Sequence, residues 1–265
     1  MKLTMLGTGN ALVTECYNTC FLLSDGEKRL LVDGGGGNEI LRRLKSAGAA
    51  LTDIHDIFVT HKHIDHLLGV IWIIRMICQA MGRGDYPGEA RIYAHDEVIA
   101  LLRDIAGKLL GKEKRFLGDR LALIEVTDGE TRSIIGREVT FFDIGSSKAK
   151  QFGFTMDLGG GKKLTCCGDE PFSERERPYA ENSEWLLHEA FCLYSQRDIF
   201  KPYEKHHSTV KDACELAETL NVRNLLLYHT EDSDIAGRKR LYAEEGRPFF
   251  RGNLLIPDDM EEIQL

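Results

Sequence analysis

Apolar residues along this chain fall into short, bounded runs that alternate with helical spacings. Runs at residues 2–6, 19–23 and 29–32 have the length and branched character of early strands, and residues 38–47 space their apolar positions as a helix does. "DIFVT" (56–60) and "RIYAH" (91–95) read as further strands, the latter followed by the helix "DEVIALLRDIAGKLL". "LLGVIWIIRMIC" (67–78) reads as a buried helix, too short to span a bilayer and interrupted by Arg75. The middle is strand-rich, with "LALIEV", "EVTFFDI", "FGFTMDL" and "KKLTCCG". The last third alternates again: strand "EWLLHEA", helix "TVKDACELAETL", strand "RNLLLYHT". No Pro- or Ser-rich linker and no short-period repeat divides the pattern. The reading is one α/β domain over residues 1–265 with much antiparallel sheet.

Composition narrows the function classes. The chain is 43% hydrophobic and 29% charged, ordinary for a soluble globular protein, with a formal net charge of -8. That balance argues against a broad nucleic-acid-binding face. "MKLTMLGTGNAL" reads as a strand and turn rather than a signal peptide. Seven scattered cysteines without a CxxC pair fit reduced thiols, so a cytoplasmic protein is expected, with no membrane partner.

The stretch "VTHKHIDHLLG" (59–69) changes the picture, placing three histidines and an aspartate between a strand and a helix. In extended backbone, residues two apart point the same way, so His61 and His63 can aim at one point. Asp65 and His66, at the turn into the helix, can aim at a second. A solvated loop is the plain alternative, but imidazole and carboxylate together suit a divalent metal. Asp169, in "CCGDE", and His229, in "LLYHT", each follow a buried strand, where sites of layered α/β proteins lie. The glycines after Asp33, in "LLVDGGGGNEI", require backbone to approach another element closely, or form a weak phosphate loop.

"HKHIDH", Asp33, "CGD" and a strand-end histidine, in this order, resemble the metallo-β-lactamase superfamily. "MLGTGNA", "THKHIDHLLG", "LLHEAFC" and "HHSTVKDACELAETLNVRNLLLYH" are similar to its ribonuclease Z-like branch. The resemblance implies a four-layer αββα sandwich. It implies one metal on His61 and His63, a second on Asp65, His66 and His229, Asp169 bridging them, and Asp33 supporting the site. Zinc is the expected ion, one or two per chain, with manganese or iron also suited to these ligands. A homodimer is compatible with the resemblance.

The expected chemistry is metal-dependent hydrolysis of a phosphodiester, a small molecule or an RNA end, by a metal-bound hydroxide. Asp65 would orient the attacking water, and His207 would serve the leaving group, though His207 also reads as a helix-start residue beside Ser208 and Thr209. Glu189 is either a support to the site or an ordinary strand-end residue. Two departures from the branch stand out. Ser147, or Ser146, occupies the place of a further ligand histidine, so the first metal position is weakly occupied, completed by water, or completed by His95 or His207. Only "GFTMDLGGGKKLTCCGD" fills the interval where ribonuclease Z inserts its tRNA-gripping arm. Hydrolysis of a non-phosphate ester, thioester or lactone, or a degraded metal-binding role, are the alternatives.

Overall fold

Two seven-stranded sheets pack face to face, with helices covering both outer faces. A computed structural model describes all 265 residues. The first sheet contains β1 (Lys2–Gly7), β2 (Cys20–Asp25), β3 (Lys28–Val32), β4 (Asp56–Phe58), β5 (Ala90–Ala94) and β6 (Leu121–Glu125). The second takes β7 (Thr131–Ile134), β8 (Arg137–Asp143), β9 (Phe152–Gly159), β10 (Lys162–Cys166), β11 (Trp185–Glu189), β12 (Asn224–Tyr228) and β13 (Asn253–Leu255). The C-terminal β14 (Glu262–Gln264) returns to the first sheet beside β1.

The strand orders are β14-β1-β2-β3-β4-β5-β6 and β13-β12-β11-β10-β9-β8-β7. Each sheet changes from antiparallel to parallel partway across: β3 to β6 are mutually parallel, and so are β10 to β13. Parallel strands need crossovers, which here are helical. The helices are α1 (Glu39–Ser46), α2 (Ile64–Arg83), α3 (Asp96–Leu109), α4 (Arg177–Ala180), α5 (Arg197–Phe200), α6 (Val210–Thr219) and α7 (Arg238–Gly246).

Three apolar clusters follow from this layering. One lies between the first sheet and α1, α2 and α3, with Leu31, Ile57, Ile73 and Ile77 at its centre. The second is the inter-sheet core, where the Phe58 ring meets Phe141 at a tilt and Phe154 edge to face. The third joins α6 and α7 to β11 and β12 through Leu186, Cys214 and Tyr242. The expected αββα sandwich is therefore present, with strand and helix positions close to the periodicity reading. β7, β13, β14 and the helices α4, α5 and α7 lie outside the elements the periodicity predicts.

Helix α2 departs from expectation. It runs 20 residues, long and apolar enough by length and composition to cross a membrane, but packs as a core helix with eleven residues buried. Its other face exposes Ile64, Leu68 and Trp72. The helix can lie where it does because two backbones almost touch. Gly34 N–H donates to His66 O and Gly69 N–H to Gly35 O, both at 2.9 Å. A Cβ on Gly69 would sit 1.8 Å from Gly34 O. This is the close approach that the glycine run requires, and it seats the first turn of α2 against Asp33.

Gly69→Ala should therefore destabilise the protein by more than about 3 kcal/mol in urea unfolding, despite alanine's better helix propensity. Gly37→Ala, where an added Cβ meets nothing within 4 Å, should stay within about 0.5 kcal/mol. A second expectation concerns Glu176, fully buried beside α4, with Oε1 held by Ser173 N–H and Oε2 unpartnered. Burial pushes its carboxyl up from 4.5 to about 8. The native state thus holds this proton more tightly than the unfolded chain does, so its stabilising contribution is complete below about pH 4.5 and is lost as pH rises through about 8. Urea midpoints should fall from pH 5 to pH 9 by an amount worth a few kcal/mol, and Glu176→Gln should flatten that slope.

Candidate metal centre

The carboxyl ends of the parallel strands converge at one edge of the sandwich. β3 delivers Asp33, β4 leads through Thr60 to His61, and β12 leads to His229. β10 leads through Gly168 to Asp169. His63 is the N-terminal cap of α2, its backbone still extended, so Asp65 and His66 fall on the first helical turn. Asp33 and His229 both take positive φ, 58° in each case, a conformation non-glycine residues adopt only where the surroundings enforce it.

Two groups of donors form. His61, His63 and Asp169 are one; Asp65, His66 and His229 are the other; within each, one atom per residue lies within 4.8 Å of the rest. Asp169 stands between them: its Oδ2 is 3.6 Å from His61 Nε2, 3.3 Å from His66 Nε2 and 3.4 Å from His229 Nε2. All but His63 are buried.

The outer faces of three imidazoles are fixed by acceptors. Thr60 donates its hydroxyl to Asp33 Oδ2 at 2.8 Å, so its remaining contact, 2.9 Å to His61 Nδ1, must be donated by the ring. His66 Nδ1 donates to the same Asp33 oxygen at 2.7 Å. Thr19 gives its proton to Gly9 O at 3.0 Å and accepts from His229 Nδ1 at 3.3 Å. In each case Nδ1 carries a proton and Nε2 faces inward, the orientation a metal ligand needs once Nε2 is unprotonated. His66 Nε2 is buried without a hydrogen-bond partner. The donor set fits a divalent cation: imidazole nitrogens and carboxylate oxygens, all but those of His63 on buried residues, converge on two adjacent points.

Electrostatics agree. Burial and the neighbouring imidazoles hold His61 well below the ordinary histidine range, although Asp169 opposes this. Burial favours protonation of Asp169, but His61 and His229 outweigh it and keep the carboxylate ionised. Burial disfavours charge on His66, and Asp65 and Asp33 reverse that, lifting it well above its usual value, so a cation arriving at Nε2 would displace a proton from it. The corner concentrates negative charge and calls for a positive partner.

The cleft beside these groups, about 720 Å³, is lined by His63, Asp65, Asp169, His207 and His229, with Lys62, Lys148 and Lys205 around its mouth. A larger depression of about 820 Å³ lies among Lys28, Arg29, Asp53, Asp56 and Arg91, away from both donor groups, where Arg29 pairs with Asp53 and Arg91 with Asp56. His207 reaches the cleft with its ring stacked on Phe191 at 4.9 Å and 5.2 Å from the His229 ring. Burial and His229 push it down to about 3. Behind it, Glu189 is completely buried at the end of β11; Oε1 accepts from Ser208 N–H, and Oε2 lies 3.7 Å from His207 Nδ1. The helix start is capped by Thr209 with Asp212, so Ser208 serves Glu189 rather than the cap.

The serines are not donors to either group. Ser147 contacts His206 Nδ1 at 3.3 Å, and Ser146 donates to Glu170 at 2.7 Å. Neither His95 nor His207 joins His61 and His63; His95 is buried against Phe152. Three residues near the site escaped sequence reasoning: Thr60, Thr19 and Gln151, whose Nε2 donates to Asp169 Oδ1 at 2.6 Å. Thr60 adjoins the histidine cluster and could have been suspected; Thr19 and Gln151 carry no local signal.

The metallo-β-lactamase fold protein YhfI from Bacillus subtilis superposes with a TM-score of 0.81 at 18% identity, covering 99% of this chain and 98% of its own. Zn(2+)-bound PqqB from Methylobacterium extorquens superposes at 0.73 with 15% identity, each chain fully covered. Ribonuclease Z of Archaeoglobus fulgidus is 25% identical over 303 residues, 98% of this chain and 96% of that protein. The metallo-β-lactamase fold and the ribonuclease Z-like resemblance both hold. A finer family is also matched, over residues 1–243: the chain belongs to the family described as Anti-Pycsar protein Apyc1.

Proposed function

We propose that this protein is a metal-dependent hydrolase of a small phosphodiester. The observation that carries the reading is the sharing of Asp169 Oδ2 between two adjacent donor groups at the floor of a lysine-rimmed cleft. His61, His63 and Asp169 would hold one divalent cation, and Asp65, His66, His229 and the same Asp169 a second, with zinc the leading ion and manganese or iron alternatives. Cations bound there supply Lewis acidity and lower the pKa of water.

The chain's own groups account for the rest. Lys62, Lys148 and Lys205 give a protein of net charge -8 a local attraction for an anion. Asp65, whose carboxyl is kept ionised by His66 against the effect of burial, can accept the attacking water's proton. His207, pushed down by burial, is neutral in the free protein; an arriving phosphate anion raises its affinity for a proton, preparing it to protonate the leaving oxygen. The small-molecule reading, rather than RNA, is supported by the β9–β10 hairpin, which closes through Gly159, Gly160 and Gly161 with no arm beyond the turn.

Chelator-stripped protein reconstituted with zinc, manganese or iron should hydrolyse bis-p-nitrophenyl phosphate or a nucleoside p-nitrophenyl phosphodiester, and lose turnover on renewed chelation. Faster hydrolysis of a lactone or thioester, or of the 3′ trailer of an RNA, would overturn the proposal. His207→Ala should lower kcat by about 10²–10⁴ for an alkoxide leaving group, but much less for p-nitrophenolate, which departs without a proton. Equal losses on both substrates would remove His207 from the proton-donor role.

A further inference from the structure

We infer that Gln151 is a positioning residue that turns Asp169 so that one of its oxygens serves both donor groups. The inference rests on the two-cation reading above. Gln151 is 1% exposed, and its amide meets Asp169 Oδ1 at 2.6 Å. An ionised carboxylate can only accept, so the contacting atom is the amide nitrogen, and Oδ2 is left facing His61, His66 and His229.

The surroundings hold this amide in place. Gln151 O accepts from Ile144 N at 3.1 Å, and the next peptide, Phe152 N, donates to Thr60 O at 3.0 Å. One short segment thus ties the second sheet to the residue that orients His61, while its side chain fixes Asp169. Space for the amide comes from Gly168: a Cβ there would lie 2.8 Å from Gln151 Nε2, and the glycine's φ of +76° suits few other residues.

A carboxylate's terminal torsion is broad. Without the amide, Asp169 could rotate and offer both oxygens to one group, leaving the other short of a donor. Gln151 lies in the segment where the resemblance places a further ligand histidine and this chain has Ser146 or Ser147.

The test is cobalt titration of chelator-stripped full-length protein, read by calorimetry and by the visible absorption of bound cobalt. Gln151→Met keeps the side chain's length and removes the donor; Gln151→Asn keeps the amide but falls short of Asp169, and serves if the methionine variant gives no cooperative thermal transition. Two cobalt ions on the unaltered protein, with one bound about 10–100-fold more weakly in the variant and its spectrum changed, is the expected result. Two ions bound equally well by all three proteins, with identical spectra, would overturn the role of Gln151 and leave the two-cation reading standing. Fewer than two ions on the unaltered protein would overturn that reading and the inference with it.

Discussion

Asp169 carries its charge where charge is costly, buried at the floor of the cleft, with one oxygen 3.3 to 3.6 Å from three imidazole nitrogens. Such a group persists only if every neighbour is fixed, because a small rotation of any ring would leave a polar atom buried and unpaired. The outer layer of the site supplies that fixity. Asp33 holds Thr60 and His66, Thr60 holds His61, Thr19 holds His229, and Gly168 makes room for the amide on the remaining oxygen. The positive φ of Asp33 and His229 and the Gly34–Gly69 contact belong to the same economy.

Much of the architecture was legible because strand and helix periods differ and because the parallel strands are short apolar runs ending in polar residues. "HKHIDH" was legible for a local reason: its donors lie within one strand-to-helix turn. Asp169 and His229 were found through resemblance and position at strand ends. The missed elements are those that burial does not announce. β7, β13 and β14 run only three or four residues at sheet edges, and α7 buries Arg238, a charged residue, against Thr8, Thr230 and Pro257 O. Thr19 and Gln151 act through partners far along the chain, and no periodicity records such a pairing.

Charge is distributed with similar economy. The cleft's lysines are steadied from behind: Lys62 pairs with Glu97 at 2.7 Å, and Lys205 sits 4.9 Å above the Phe191 ring that also carries His207. Three lysines at one cleft thus stand out locally against a net charge of -8 for the whole chain.

The order of the donors along the chain has a thermodynamic consequence. Asp33, His61, His63, Asp65 and His66 all belong to the first sheet and its crossover, whereas Asp169 and His229 belong to the second. Neither donor group is complete until the sheets have docked across their shared aromatic core. Any cation that binds both halves therefore adds its binding free energy to the inter-sheet contact, and loosening that contact weakens cation affinity by the same amount. Cofactor retention and the cohesion of the two halves are, in this molecule, one equilibrium seen from two sides.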